Sequence, residues 1–192
     1  MTRKILRKSA GVIRPLFIAA LVLGLTGMFG GLRAMAETAQ QLDANVQTSL
    51  DRFKQIKGSD EVIEKAKGLL VFPAVFKGGF GIGGEFGEGA LLVGGKTEGY
   101  YNTVAASIGF QLGGQKKTII LAFMTDPALQ NFESSAGWKV GVDASVAIIA
   151  IGADGSLDTS KLNQPVVGFV LDQKGLMYNL TLEGAKISKI TK

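Results

Sequence analysis

The chain has 192 residues, with 21 Lys and Arg against 16 Asp and Glu, and it contains neither histidine nor cysteine. Without imidazole or thiol, Ser-His-Asp and Cys-His catalysis, the His/Cys ligand sets of zinc and copper, and any disulfide framework are excluded. An enzyme built here would depend on carboxylates, lysines or tyrosines, and no cofactor or metal is expected.

Residues 1–36 read as a leader. Arg3, Lys4, Arg7, Lys8 and Arg14 form a basic opening without acids, the apolar run "LFIAALVLGLTGMFGGL" follows, and Ala34 and Ala36 supply an A-x-A cleavage site. That order is the pattern of a secretory signal peptide cut after Ala36, with an uncleaved anchor as the alternative. The expected location is the periplasm or the exterior, and the missing cysteine excludes lipid attachment at the cut. Six of the 21 basic residues fall in the leader, so residues 37–192 keep 15 bases against 16 acids, a net charge of −1. No global positive field remains to favour nucleic acid. These 156 residues are expected to form a single domain.

Residues 37–57 place Ala39, Leu42, Val46, Leu50, Phe53 and Ile56 at steps of three and four, which predicts an amphipathic helix ended by Gly58. "SDEVIEKAK" then predicts a short second helix. Ser59 is its N-cap, Asp60 and Glu61 lie in its first turn, and Lys65 and Lys67 lie near its end. From Leu69 onward come short β-rich runs: "LLVF", "GFGIGGEF", "ALLVGG", "YYNTVAASIGFQL", "KTIILAFMT", "KVGVDASVAIIAIG", "PVVGFVLD" and "GLMYNLTLEGAKI". In the sixth run, Val140, Val142, Ala144, Val146 and Ile148 are expected on one face and Gly141, Asp143 and Ser145 on the other. "TDPALQNFES" interrupts the strands with a helix capped by Asp126, with Pro127 at its first position. Helices, strands, one helix and more strands define an α+β fold.

The stretch "GGFGIGGEFGEGALLVGGKT" tests for nucleotide binding. Gly79, Gly81 and Gly84 spell GxGxxG, yet no helical stripe follows, and Glu85 and Glu88 would repel a phosphate. A P-loop ending at Gly95-Lys96-Thr97 requires glycine at position 90, which is alanine. Neither motif stands, so no nucleotide is expected. Residues 78–114 hold 13 of the 27 glycines, which predicts a strongly curved, barrel-like antiparallel sheet with two N-terminal helices and one short inserted helix.

Four ordered stretches resemble the SYLF-domain family: "AKGLLVFPAVFKGGFGIGGEFGEGALLV" (66–93), "GYYNTVAASIGFQLGGQKKTIILAFMTDPALQNF" (99–132), "WKVGVDASVAI" (138–148) and "GLMYNLTLEGAKI" (175–187). The resemblance implies a lipid-binding domain of a kind that in fungi also binds actin. Eukaryotic members bind phosphoinositides through a basic amphipathic N-terminal helix. An exported bacterial chain would meet neither phosphoinositides nor actin, so the implied partner is an anionic phospholipid or membrane surface.

Candidate lipid-binding residues follow. Arg52, Lys54 and Lys57 cluster beside Phe53 at the end of the first helix, with a helix packed on the sheet as the alternative. Lys116 and Lys117 in "GGQKKT" are read at a turn, where paired lysines either touch headgroups or solubilise a loop. Asp154, Ser156 and Asp158 alternate as in a calcium loop, but Pro165 replaces the required glutamate, so a surface turn is expected. Tyr100 and Tyr101 are expected to divide between core and surface. Glu85, Glu88 and Glu98 are the only acids weighed for a carboxylate hydrolase. The reading is therefore a non-enzymatic lipid- or membrane-binding module of the bacterial envelope. Its alternative is an envelope structural or stress protein acting through a protein partner.

Overall fold

The computed structural model describes residues 37–109, 115–149, 156–172, 175–176, 182 and 184–192; the leader expected at 1–36 and most of "GLMYNLTLEGAKI" lie outside them. Helix α1 (Ala39–Lys54) starts in a capping box: the Gln41 amide donates to the Thr38 hydroxyl at 3.3 Å, and the Thr38 amide donates to the Gln41 side-chain oxygen at 3.1 Å. It buries Leu42, Val46, Leu50 and Phe53, the predicted stripe, and stops at Lys54 rather than 57. Helix α2 (Ser59–Lys65) is capped by Gly58, not by Ser59. Gly58 takes the left-handed φ of 92° that breaks the chain between the helices. Ser59 is buried within α2, and its amide already bonds the Ile56 carbonyl at 3.0 Å.

The three short strands expected between Leu69 and Val93 are one strand, β1 (Gly68–Val93), followed by β2 (Lys96–Gly109) and β3 (Gln115–Phe123). The first part of β1 pairs antiparallel with β3, and residues 81–93 pair antiparallel with β2. A register shift between Phe72 and Val75 accommodates Pro73, which has no amide for the ladder. Instead its carbonyl accepts from the Thr118 hydroxyl at 3.0 Å.

Glycine lets β1 continue by allowing its two parts to cross in contact. A Cβ on Gly87 would stand 2.7 Å from Val75 Cγ2 and 2.8 Å from the Ala74 carbonyl oxygen. A Cβ on Gly89 would overlap the Val71 carbonyl oxygen and stand 2.6 Å from the Phe72 ring. The Gly94-Gly95 pair serves a different need. With φ of 57° and 79° it makes the tight β1–β2 hairpin turn, which occupies the place where a P-loop tail was tested.

After β3, helix α3 (Asp126–Ser134) is capped by Thr125, whose hydroxyl accepts from the Ala128 amide at 3.4 Å; Asp126 and Pro127 both lie inside the first turn. The continuous alternation expected over 138–148 is absent. Strand β4 (Trp138–Lys139) ends in a turn, and β5 (Ala147–Ile148) begins beyond it. Gly141 has φ of 84°, and the Asp143 carboxylate accepts from the Lys139 amide at 2.6 Å, so the ladder breaks and Val142 is 75% exposed. A short 3₁₀ turn (Thr159–Lys161) precedes β6 (Val166–Asp172), β7 (Gly175–Leu176) and β8 (Lys186–Ile190).

Among the described residues the sheet order is β4-β8-β2-β1-β3-β6-β5, with β7 also on β6. All pairings are antiparallel except β5 on β6. The fold is α+β with a strongly curled half-barrel sheet, buried on both faces over its centre. On the outer face α1 and α2 cover Val71, Ala90, Leu92, Ile120, Ala122 and Phe169. On the inner face, where the two parts of β1 meet, Leu70, Phe72, Leu91, Tyr101 and Phe123 are closed over by Phe132 and Trp138.

The crossing predicts a contrast. Gly89→Ala should lose at least about 2 kcal/mol in chemical denaturation, because backbone must move to admit a methyl. Gly84→Ala should stay within about 0.5 kcal/mol, since its Cβ would meet nothing nearer than the Ala105 carbonyl at 3.6 Å. Equal losses at both positions would refute the close crossing.

Candidate functional site

Strand alternation sorts the candidate residues. Lys116 and Lys117 lie inside β3 and not at a turn, so adjacent lysines face opposite ways. Lys116 is exposed on the outer face, with its ammonium 5.9 Å from the centre of the Phe76 ring, its ladder partner. Lys117 points inward, only 4% exposed, and its ammonium meets the Glu85 carboxylate at 2.6 Å. Lys77 approaches the other oxygen of Glu85 at 3.7 Å. Three charges from the two parts of β1 and from β3 thus end the inner face beyond Val75.

The α1 group divides similarly. Arg52, Lys54 and Lys57 are solvent-facing, and Lys54 pairs with Asp51 at 3.2 Å. Phe53 is fully buried, its ring 4.8 Å from that of Phe169. The amphipathic helix is therefore docked with its apolar side committed to the core. A polar contact holds its other end: the Asp43 carboxylate accepts from the Thr97 hydroxyl at 3.0 Å and from the Tyr100 hydroxyl at 2.9 Å. Burial, then the Asp43 hydrogen bond and charge, raise the Tyr100 phenol above its ordinary pKa. Tyr101 lies in the core as its pair, raised by burial and then by the charges of Glu133 and Glu98.

The carboxylates weighed for hydrolysis do not assemble. Glu85 faces inward onto Lys117. Glu88, three residues on and on the opposite face, meets Lys192 at 2.6 Å. Asp158 is occupied by Ser160, whose hydroxyl and amide lower its pKa, and residues 153–155 of the loop tested for calcium lie outside the described residues. Among the described residues no cluster of three metal-ligating side chains occurs.

Three exposed apolar side chains that the motifs did not indicate lie on the outer face past α1. Phe86 and Val104 are cross-strand partners, each 49% exposed, and Phe76 is 56% exposed. Their exposure follows from alternation combined with the shift at Pro73, which puts Phe76 opposite Val75 and on the face of Phe86. The Pro within an apolar strand was the available signal, but its effect on register is not readable without the partner strand.

Residues 104–192 match the family model described as Ysc84, Las17-binding protein actin regulator. Over these residues the chain is similar to the SYLF family. The match agrees with the resemblance seen in the motifs, and SYLF is a family of lipid- and actin-binding domains rather than one known for enzymes. The SYLF match begins at Val104 within β2 and takes in Lys116 and Lys117, whereas α1 with Arg52, Phe53 and Lys54, and Lys57 after it, precede the match. A comparison with curated proteins finds no match.

The buried ion pair yields a prediction. Glu85→Gln leaves the Lys117 ammonium without its countercharge and should destabilise the fold by about 3–5 kcal/mol. Adding Lys117→Met should recover most of that loss, because an apolar stem then replaces a buried charge. Urea denaturation of the single and double variants checks both, and a Glu85→Gln change below about 1 kcal/mol would show that the pair is solvated.

Proposed function

We propose that this chain is a non-enzymatic module of the bacterial envelope that associates peripherally with anionic phospholipid surfaces. The SYLF match supports a binding role. The observation that carries the mode of binding is the docking of α1: its apolar side is spent on the core, while Arg52 and Lys54 face solvent at its C-terminal end and Lys57 faces solvent just beyond it. Such a helix contributes charge to a membrane contact and not an inserted stripe. Each base near an anionic surface contributes about 1 kcal/mol, so the helix term is weak, reversible and sensitive to salt. The basic, apolar and A-x-A segments of residues 1–36 support an exported location, periplasmic or secreted.

A second reading follows from the family description, which names an actin regulator that binds another protein. In an envelope the corresponding partner would be an envelope protein, and actin enters only by analogy.

The test is co-sedimentation of protein produced from the full-length sequence with vesicles of phosphatidylglycerol and phosphatidylcholine, against phosphatidylcholine alone. Binding should require the anionic lipid and weaken as salt rises. Arg52→Glu, Lys54→Glu and Lys57→Glu together should weaken it several-fold at low salt while leaving the thermal midpoint nearly unchanged. Failure of the wild-type protein to sediment with anionic vesicles at low salt would overturn the lipid reading.

A further inference from the structure

Charge on α1 leaves open where an apolar contact would be made. We propose that an anionic phospholipid surface docks on a single cross-strand row of the outer sheet face, formed by Phe86, Val104, Lys186 and Lys139. This rests on the lipid reading above and names a contact surface for it.

The register puts the four residues in line. Phe86 on β1 is the direct partner of Val104 on β2, Val104 is the partner of Lys186 on β8, and Lys186 is the partner of Lys139 on β4. Three steps between adjacent strands, at about 4.8 Å each, make the row roughly 14 Å long. One face holds all of it. Trp138, Val140, Ala185 and Ile187, the neighbours of the two lysines along their strands, belong to the inner core, so Lys139 and Lys186 point outward. Both are exposed, and Phe86 and Val104 are each 49% exposed on that face. The adjoining outer pair, Gly84 with Ala106, is exposed and carries no bulk to screen them.

Charge and apolar surface together select the occupant. Like charges directly opposite in a sheet repel, yet among the described residues neither Lys139 nor Lys186 has an ion-pair partner. The Asp143 carboxylate accepts from the Lys139 amide, and Glu88, in the neighbouring row, is paired with Lys192 at 2.6 Å. The stem of Lys186 lies over Gly137, where a Cβ would stand 2.7 Å from its Cε. An anion between the ammoniums would relieve their repulsion. The carboxylates of an acidic polypeptide would satisfy the lysines alone, and a second copy meeting through this row would bring four such cations into one interface. An anionic bilayer matches both halves of the row. Phe86 and Val104 enter the acyl boundary, while the long lysine stems leave their ammoniums among headgroup phosphates.

Because the chain has no cysteine, a single Val104→Cys substitution can carry an environment-sensitive fluorophore, with Ser134→Cys, exposed on α3, as the control position. Both labelled proteins, from the full-length sequence, are mixed at low salt with vesicles of phosphatidylglycerol and phosphatidylcholine. Emission from position 104 should move to the blue and emission from 134 should not. In co-sedimentation, Lys139→Glu with Lys186→Glu should weaken vesicle affinity on the order of tenfold, and Phe86→Ser should remove the binding that persists at high salt. All three changes are at exposed positions, so the wild-type thermal midpoint should be kept. Wild-type protein that sediments with the vesicles while the label at 104 stays unchanged would overturn this surface and leave the lipid reading intact, as would a double reversal that binds like wild type. No sedimentation of the wild-type protein would overturn both. A shift at 104 produced by poly-glutamate and not by vesicles would give the row to an acidic protein. One that appears with rising protein concentration alone would give it to a second copy, and either result overturns the proposal.

Discussion

The crossing of β1 over itself at Gly87 and Gly89 is the contact from which the rest of the architecture follows. The first part of the strand carries the ladder to β3, β6 and β5, and the second carries the ladder to β2, β8 and β4. Holding both parts in backbone contact curls the whole sheet and creates an inner face narrow enough for aromatic rings to fill. Phe123 and Phe132 stand 4.8 Å apart, and Trp138 meets Phe132 edge-on at 5.5 Å. With no cysteine available for a disulfide, this packing and the helix-covered outer core carry the stability of the described unit.

Strand alternation then gives adjacent residues opposite environments. Lys117 and Glu85 turn inward, where the desolvation of Lys117 is offset by Glu85 and that of Glu85 by Lys117 and Lys77. Lys116 and Phe86, one residue away in each strand, turn outward. The exposure of Phe86 and Val104 has a geometric cause. Sixteen residues of helix span about 24 Å at 1.5 Å per residue, whereas the 13 paired residues of β1 against β2 extend roughly 40 Å at 3.3 Å each. Even if it were aligned with the strand, α1 could not reach both ends of the face.

Periodicity made the α+β class, the curved sheet and the buried stripe of α1 legible, because Leu42, Val46, Leu50 and Phe53 carry a helical period and glycine concentration marks curvature. Caps were harder to read. Thr125 and Gly58 displaced Asp126 and Ser59 because several residues nearby were capable of capping, and backbone direction chose among them. The length of β1 escaped because glycine and Pro73 read as boundaries when they are in fact a crossing and a bulge. For the same reason Phe76 and Phe86 passed unnoticed while Lys117 was placed at a surface turn: a one-residue shift in register exchanges the faces, and register belongs to the partner strand.

The energetics of α1 oppose its release from the sheet. Fully burying a large apolar side chain is worth about 1.5–3 kcal/mol, so removing Leu42, Val46, Leu50 and Phe53 from the core would forfeit roughly 6–12 kcal/mol, comparable with the whole stability of a typical domain. The Asp43 contacts with Thr97 and Tyr100 would be lost as well. A membrane that rewarded the freed helix would have to offset that loss and would leave the outer sheet face bare. With α1 docked no such rearrangement is needed, and Arg52 and Lys54 stay where the helix holds them. For a domain whose core alone sustains its fold, any contact proposed for it costs least when α1 remains docked.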